Sequence, residues 1–117
     1  MDKLNFVFLI RDDRYWEQLF SYISHLNQQS LMIDKIAVVS VGTALLSCLK
    51  STHLETVKST ITRLNSENVK FYQCINTLSR YGINEKWLLP EISIAQEGGL
   101  MKVALFESMG YHSSTLG

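Results

Sequence analysis

Cys74 lies in the stretch Asn68–Gly82 (NVKFYQCINTLSRYG), where an alternating run gives way to a polar turn. Val69, Phe71 and Gln73 share one face and Lys70 and Tyr72 the other, the period of a β-strand. Asn76-Thr77 follows at once, residues that suit a turn or a helix start. A thiol at the carboxyl end of a strand is where an open α/β sheet places its ligand chemistry. The thiolate is the reactive form, and nearby helix N-termini or cations lower a cysteine pKa from about 8.5. Here a helical turn starts within two residues of Cys74, and its unpaired N–H groups favour an anionic sulfur. Arg80 adds a cation close in sequence. The competing reading is a small buried residue closing a strand, since cysteine is among the most buried residue types.

Other candidate groups are weaker. Gly42-Thr43 follows a second apolar strand, so its backbone N–H groups form an anion or oxyanion cradle, or the glycine serves turn geometry alone. Asn76 and Thr77 line a pocket at the strand end or act only as turn and cap residues. Cys48 has leucine neighbours (Leu45, Leu46, Leu49) and reads as core filler. The alternative is a resolving partner for Cys74, which requires Cα atoms within about 7 Å. His25, His53 and His112 have no metal-ligand spacing with one another, with a cysteine or with a carboxylate, so solvated or capping roles are expected. Gly98-Gly99 precedes a helix without a strand–GxGxxG–helix fingerprint, so nicotinamide binding has no support and no cofactor is expected.

The elements that must position these groups alternate along the chain. Leu4–Ile10 (LNFVFLI) is almost continuously apolar, like a strand buried on both faces of a parallel sheet. Asp12 or Asp13 caps the next helix, expected over Arg14–Gln29 with Trp16, Leu19, Phe20, Ile23 and Leu26 as its apolar stripe. A second strand over Asp34–Val41 leads through Gly42 into a short helix. Thr52-His53-Leu54-Glu55 reads as a capping box for a helix to about Ser66, with Leu54, Val57, Ile61 and Leu64 inward. The third strand is Val69–Gln73, and a helical turn over Asn76–Tyr81 is stopped by Gly82 as a left-handed cap. Asn84–Leu88 forms a further turn. Glu91–Ala95 is a fourth strand with Ile92 and Ile94 inward. The last helix spans Leu100–Met109, with Leu100, Val103, Ala104 and Phe106 inward. Tyr111–Ser114 is a short strand at a sheet edge. This alternation predicts a single-domain α/β three-layer sandwich, a mostly parallel sheet of four to five strands with helices on both faces.

Composition bounds the function. The 117 residues suffice for one domain and carry zero formal net charge. A neutral chain gives no broad electrostatic case for nucleic acid or an anionic membrane. The only sustained apolar run near the N-terminus is Phe6–Ile10, too short for a signal peptide, and none approaches the roughly 18 residues of a membrane span. Two cysteines make neither a zinc site nor a disulfide framework, so reduced thiols and a cytoplasmic location are expected.

These residues together resemble the DsrE/DsrF-like family, small α/β proteins associated with intracellular sulfur transfer. Asp12-Asp13-x-x-Trp16 is similar to the family's acidic, Trp-containing lead into the first helix. Val38-Val39-Ser40-Val41-Gly42 resembles its second strand and glycine turn. The strongest part is Asn68-Val69-Lys70-Phe71-x-x-Cys74-x-Asn76-Thr77, then Gly82-Ile83 and Leu89-Pro90, closed by Gly98-Gly99-Leu100 and Gly110-Tyr111. Two positions depart. Ala44 stands where many relatives carry a second glycine, which predicts a less open loop beside the cysteine. The tail Tyr111-His112-Ser113-Ser114 lacks the relatives' proline-ended strand.

The resemblance implies that Cys74 accepts a sulfane sulfur as a persulfide and passes it on, with Gly42, Thr43, Asn76, Thr77 and Arg80 around it. It implies sulfur donor and acceptor proteins as partners and a homo-oligomer, trimer or hexamer. Trp16, Trp87, Met101, Phe106 and Met109 are the candidate apolar surface for that assembly. A non-enzymatic oligomeric module, binding a small metabolite or anion in an inter-subunit pocket, is the second function the sequence allows.

Overall fold

The computed structural model describes residues 2–52 and 54–117. In chain order it contains β1 (Leu4–Ile10), α1 (Trp16–Asn27), β2 (Ile33–Ser40), a 3-10 helix (Gly42–Cys48), α2 (Glu55–Asn65), β3 (Val69–Cys74), α3 (Ile75–Tyr81), β4 (Ile92–Ala95), α4 (Gly99–Ser108) and β5 (His112–Leu116). The five strands form one sheet in the order β4-β3-β2-β1-β5, and every pairing is parallel. The tail thus adds a full edge strand beside β1, without a proline.

Strand alternation divides the interior. Phe8, Ile10, Ile36, Val38, Val69 and Phe71 face one layer, where Trp16, Leu19, Ile23, Val57, Ile61 and Leu64 meet them from α1 and α2. The opposite face presents Val7, Leu9, Ala37 and Val39, covered by Phe106 of α4. Each buried aliphatic side chain contributes about 1.5–3 kcal/mol relative to exposure, so the two-helix layer holds most of the stabilising area. Trp16 anchors it. Its indole N–H donates to the Ala44 carbonyl at 3.1 Å, and its ring tilts against Phe71. Trp16 and Phe106 are therefore core residues, whereas Trp87, Met101 and Met109 are exposed.

Local chemistry accounts for some helix ends and not for others. The Asp12 carboxylate accepts from the Arg14 N–H at 2.9 Å and caps a 3-10 turn ahead of α1. The Arg14 guanidinium and N–H hold that carboxyl down to about 2. Gly82 ends α3 at φ 63°, the left-handed cap expected of it. The capping box at Thr52 and Glu55 does not form: α2 starts at Glu55 after an N-cap, Leu54, without a side-chain cap bond, and Leu54 is exposed. His53 lies outside the described residues.

The last helix also departs from its expected inward face. Leu100 and Ala104 point outward, and the buried register runs through Gly99, partly buried Val103 and Phe106. Lys102 belongs to the same inner side, its ammonium 4.5 Å from the Tyr72 ring centre. The helix is apolar nearly all round, so periodicity could not choose its face.

Candidate functional site

Connections decide where a cleft opens. The chain leaves β3 through α3, whose Leu78 joins the two-helix layer, while it leaves β4 through α4, which packs on the opposite face. Neighbouring strands whose connections depart to opposite faces leave a crevice at their carboxyl ends. A cleft of about 760 Å³ lies there. Cys74, Gly42, Asn76, Thr77 and Arg80 all line it. Thr43 does not: it is exposed, and its hydroxyl accepts from the Asp13 N–H at 3.3 Å.

Cys74 has the parity of Lys70 and Tyr72, so its sulfur faces α4 rather than the main core. It is 6% exposed and free of any disulfide. The Gly99 N–H, first residue of α4, donates to the sulfur at 3.1 Å. Glycine is required at that point. A Cβ on Gly99 would lie 2.4 Å from Val41 Cγ1 and 3.2 Å from Cys74 Cβ. Cys74 is also the residue before α3, although its sulfur makes no cap hydrogen bond of ordinary geometry. Burial pushes the Cys74 thiol up, but the Thr77 N–H, the Gly99 N–H, the Thr77 hydroxyl and the Asn76 N–H outweigh it, and the pKa ends below the usual thiol value. These donors favour the charged form of the sulfur.

Of the two readings of Gly42, turn geometry fits rather than the cradle. Its N–H is not free for a ligand: it donates to the Thr77 hydroxyl oxygen at 3.2 Å. That bond leaves the Thr77 hydroxyl hydrogen available toward the sulfur. Gly42 also needs its φ of +59°, and a Cβ there would come within 2.9 Å of the Arg11 carbonyl oxygen. Thr77→Val therefore has two expected consequences. The Gly42 N–H loses its acceptor, at about 1 kcal/mol of stability. The Cys74 pKa rises, read as an upward shift in the pH midpoint of its alkylation.

Cys48 is fully buried. Burial pushes its thiol up to about 12, with Asp13 adding to the rise and the neighbouring Ser40 hydroxyl opposing it. The Ser40 oxygen nonetheless makes no hydrogen bond of ordinary geometry. Cys48 sits in the two-helix layer, whereas the Cys74 sulfur faces α4, so the two cysteines belong to different sides of the sheet. Ala44 does not narrow the cleft. It is buried, and its carbonyl accepts from Trp16 and, at 3.8 Å, from the Cys48 thiol.

Several cleft residues were not anticipated: Arg11, Glu97, Gly99, Leu100, Met101 and Thr115. Arg11 directly follows β1, Glu97 and Gly99 follow β4, and Thr115 lies near the end of β5. In an all-parallel sheet the residues after each strand converge at one edge, and that signal would have found them. Among the described residues there is no group of three His, Cys, Asp or Glu able to hold a metal. No helix among them is long and apolar enough to cross a membrane.

No protein-family model and no curated protein matches the chain. Among solved structures, the protein of unknown function MTH1491 from Methanobacterium thermoautotrophicum is similar, with a TM-score of 0.86 and 20% identity. The superposition covers 97% of this chain and 100% of that chain. The fold is thus a three-layer α/β sandwich shared over the whole length of both proteins.

Proposed function

We propose that the chain is a DsrE-like sulfur carrier whose Cys74 holds sulfane sulfur as a persulfide. The observation that carries this reading is a thiol held below its usual pKa by backbone and hydroxyl donors at the floor of an open cleft. The Cys74 thiolate attacks the outer sulfur of a donor R–S–SH. A Cys74–S bond forms, the donor S–S bond breaks, and its electron pair leaves with R–S⁻. The product is Cys74–S–SH, and no outside oxidant is needed. An acceptor thiolate then takes the outer sulfur by the same displacement and returns the Cys74 thiolate. This chemistry fits a relay between donor and acceptor in a reducing, cytoplasmic compartment. The test is incubation with a hydropersulfide donor followed by intact and peptide mass measurement. One added sulfur atom on Cys74 supports the reading, and an unmodified Cys74 refutes it.

The second reading, a binding module assembled from several copies, draws on the outer face of α4. Leu100 is 74% exposed and Met109 66% exposed, with Met101 between them at the cleft mouth. An assembly through this face, as a trimer or hexamer, would cover it and narrow the cleft. A light-scattering mass of a single chain contradicts the assembly. Intact ligand binding after Cys74→Ser would favour the binding module over the carrier.

A further inference from the structure

The cleft carries charge that the thiol chemistry alone does not use. Arg11 and Arg80 both line it, from the end of β1 and from α3. Both are exposed, and among the described residues neither side chain makes an ion pair or a hydrogen bond. The one acidic side chain of the lining, Glu97, has Lys102 within 3.8 Å. The unpaired charge of the cleft is therefore positive, on a chain whose formal net charge is zero. Guanidinium groups match carboxylates with two parallel hydrogen bonds, and a cleft of this volume is the size that holds a small organic ligand.

We infer that the cleft takes a small carboxylate-bearing thiol compound, with Arg11 and Arg80 on its carboxylates and its sulfur against Cys74. This rests on the carrier reading, and it names the donor as a low-molecular-weight hydropersulfide whose R group carries the carboxylates. In the transfer step the leaving R–S⁻ stays between the two guanidinium groups until it diffuses away. The reaction balances as before, with the sulfane sulfur moving to Cys74 and the electron pair leaving on the thiolate.

Two measurements test it. The first compares alkylation of Cys74 by anionic iodoacetate and neutral iodoacetamide, scaled to a model thiol. The scaled ratio is expected to exceed one, and to fall by roughly threefold to tenfold when Arg11→Gln and Arg80→Gln are combined, as the loss of two nearby charges predicts. A ratio unchanged by the substitutions overturns the inference. The second titrates S-methylglutathione into the Cys74→Ser variant by calorimetry. Binding that weakens at least tenfold in the triple variant with Arg11→Gln and Arg80→Gln supports the inference, and no binding overturns it. If Cys74 reacts with neither reagent, the carrier reading fails, and the calorimetric titration alone decides whether the cleft is an anion site.

Discussion

Cys74→Ser is expected to abolish the proposed sulfur adduct completely, with the protein still folded and Cys48 taking no sulfur in its place. Serine keeps the size of the side chain and can still accept from the Gly99 N–H, so the cleft floor is expected to persist. What is lost is the only thiol that opens on the cleft. Cys48 cannot substitute, because it is fully buried in the two-helix layer and its pKa is pushed up to about 12. At neutral pH it is almost wholly protonated, and the thiol form is a poor nucleophile. The check is mass measurement after donor treatment of the wild type, Cys74→Ser and Cys48→Ser. Sulfur loading is expected in the wild type and Cys48→Ser alone. Loading of Cys74→Ser at wild-type extent would place the chemistry elsewhere.

The second large effect is expected at Gly99, which joins packing to chemistry. An alanine there needs space already filled by Val41 Cγ1 at 2.4 Å and Cys74 Cβ at 3.2 Å. Val41 directly follows β2 and Cys74 ends β3, both held by the sheet, so the start of α4 is expected to lift. Overpacking of this kind costs about 1–3 kcal/mol, read as a lower urea midpoint. Lifting α4 also withdraws the Gly99 N–H from the sulfur, now 3.1 Å away. The Cys74 pKa is therefore expected to rise along with the loss of stability. A variant that loses stability but keeps the wild-type thiol titration would show that the Gly99 donor does not govern the sulfur.

The sign of the linkage follows. Cys74 is lowered in the folded state relative to an ordinary thiol. Its contribution to stability is fully present above the unfolded thiol's pKa and is lost as pH falls through the folded value. Cys48 has the opposite sense: its raised pKa favours the protonated native state, and that contribution is lost as pH rises toward about 12.

Much of this architecture could be read from residue order. The all-apolar Leu4–Ile10 and the β-branched second strand announced a two-sided parallel sheet, and both lie beside each other in register. The stripe from Trp16 to Ile23 fixed the face of α1, because its outer side is polar. Where a helix lacks that contrast, as α4 does, periodicity does not choose the face: Leu100 and Ala104, expected inward, point outward. The true inward residue at that end is Gly99, which has no side chain to signal burial. Thr52 and Glu55 matched a capping pattern, yet the chain enters α2 through Leu54.

At the cleft, Cys74, Asn76 and Thr77 were legible because they are adjacent in sequence. The Gly99 contact spans 25 residues and the Gly42–Thr77 bond 35, and no local pattern encodes either. Arg11 reads locally only as the polar end of an apolar strand. Its role as a cleft residue depends on β1 lying beside β2 and β5, a property of topology rather than of its neighbours.

The pH dependence of Cys74 alkylation by iodoacetamide, followed by peptide mass measurement in the wild type and Thr77→Val, probes the donor-stabilised thiolate most directly. The expected midpoint for the wild type lies below that of a model peptide thiol measured alongside, and that of Thr77→Val lies between them. A wild-type midpoint at or above the model thiol, or one that Thr77→Val leaves in place, would contradict a sulfur held as an anion at the carboxyl end of β3.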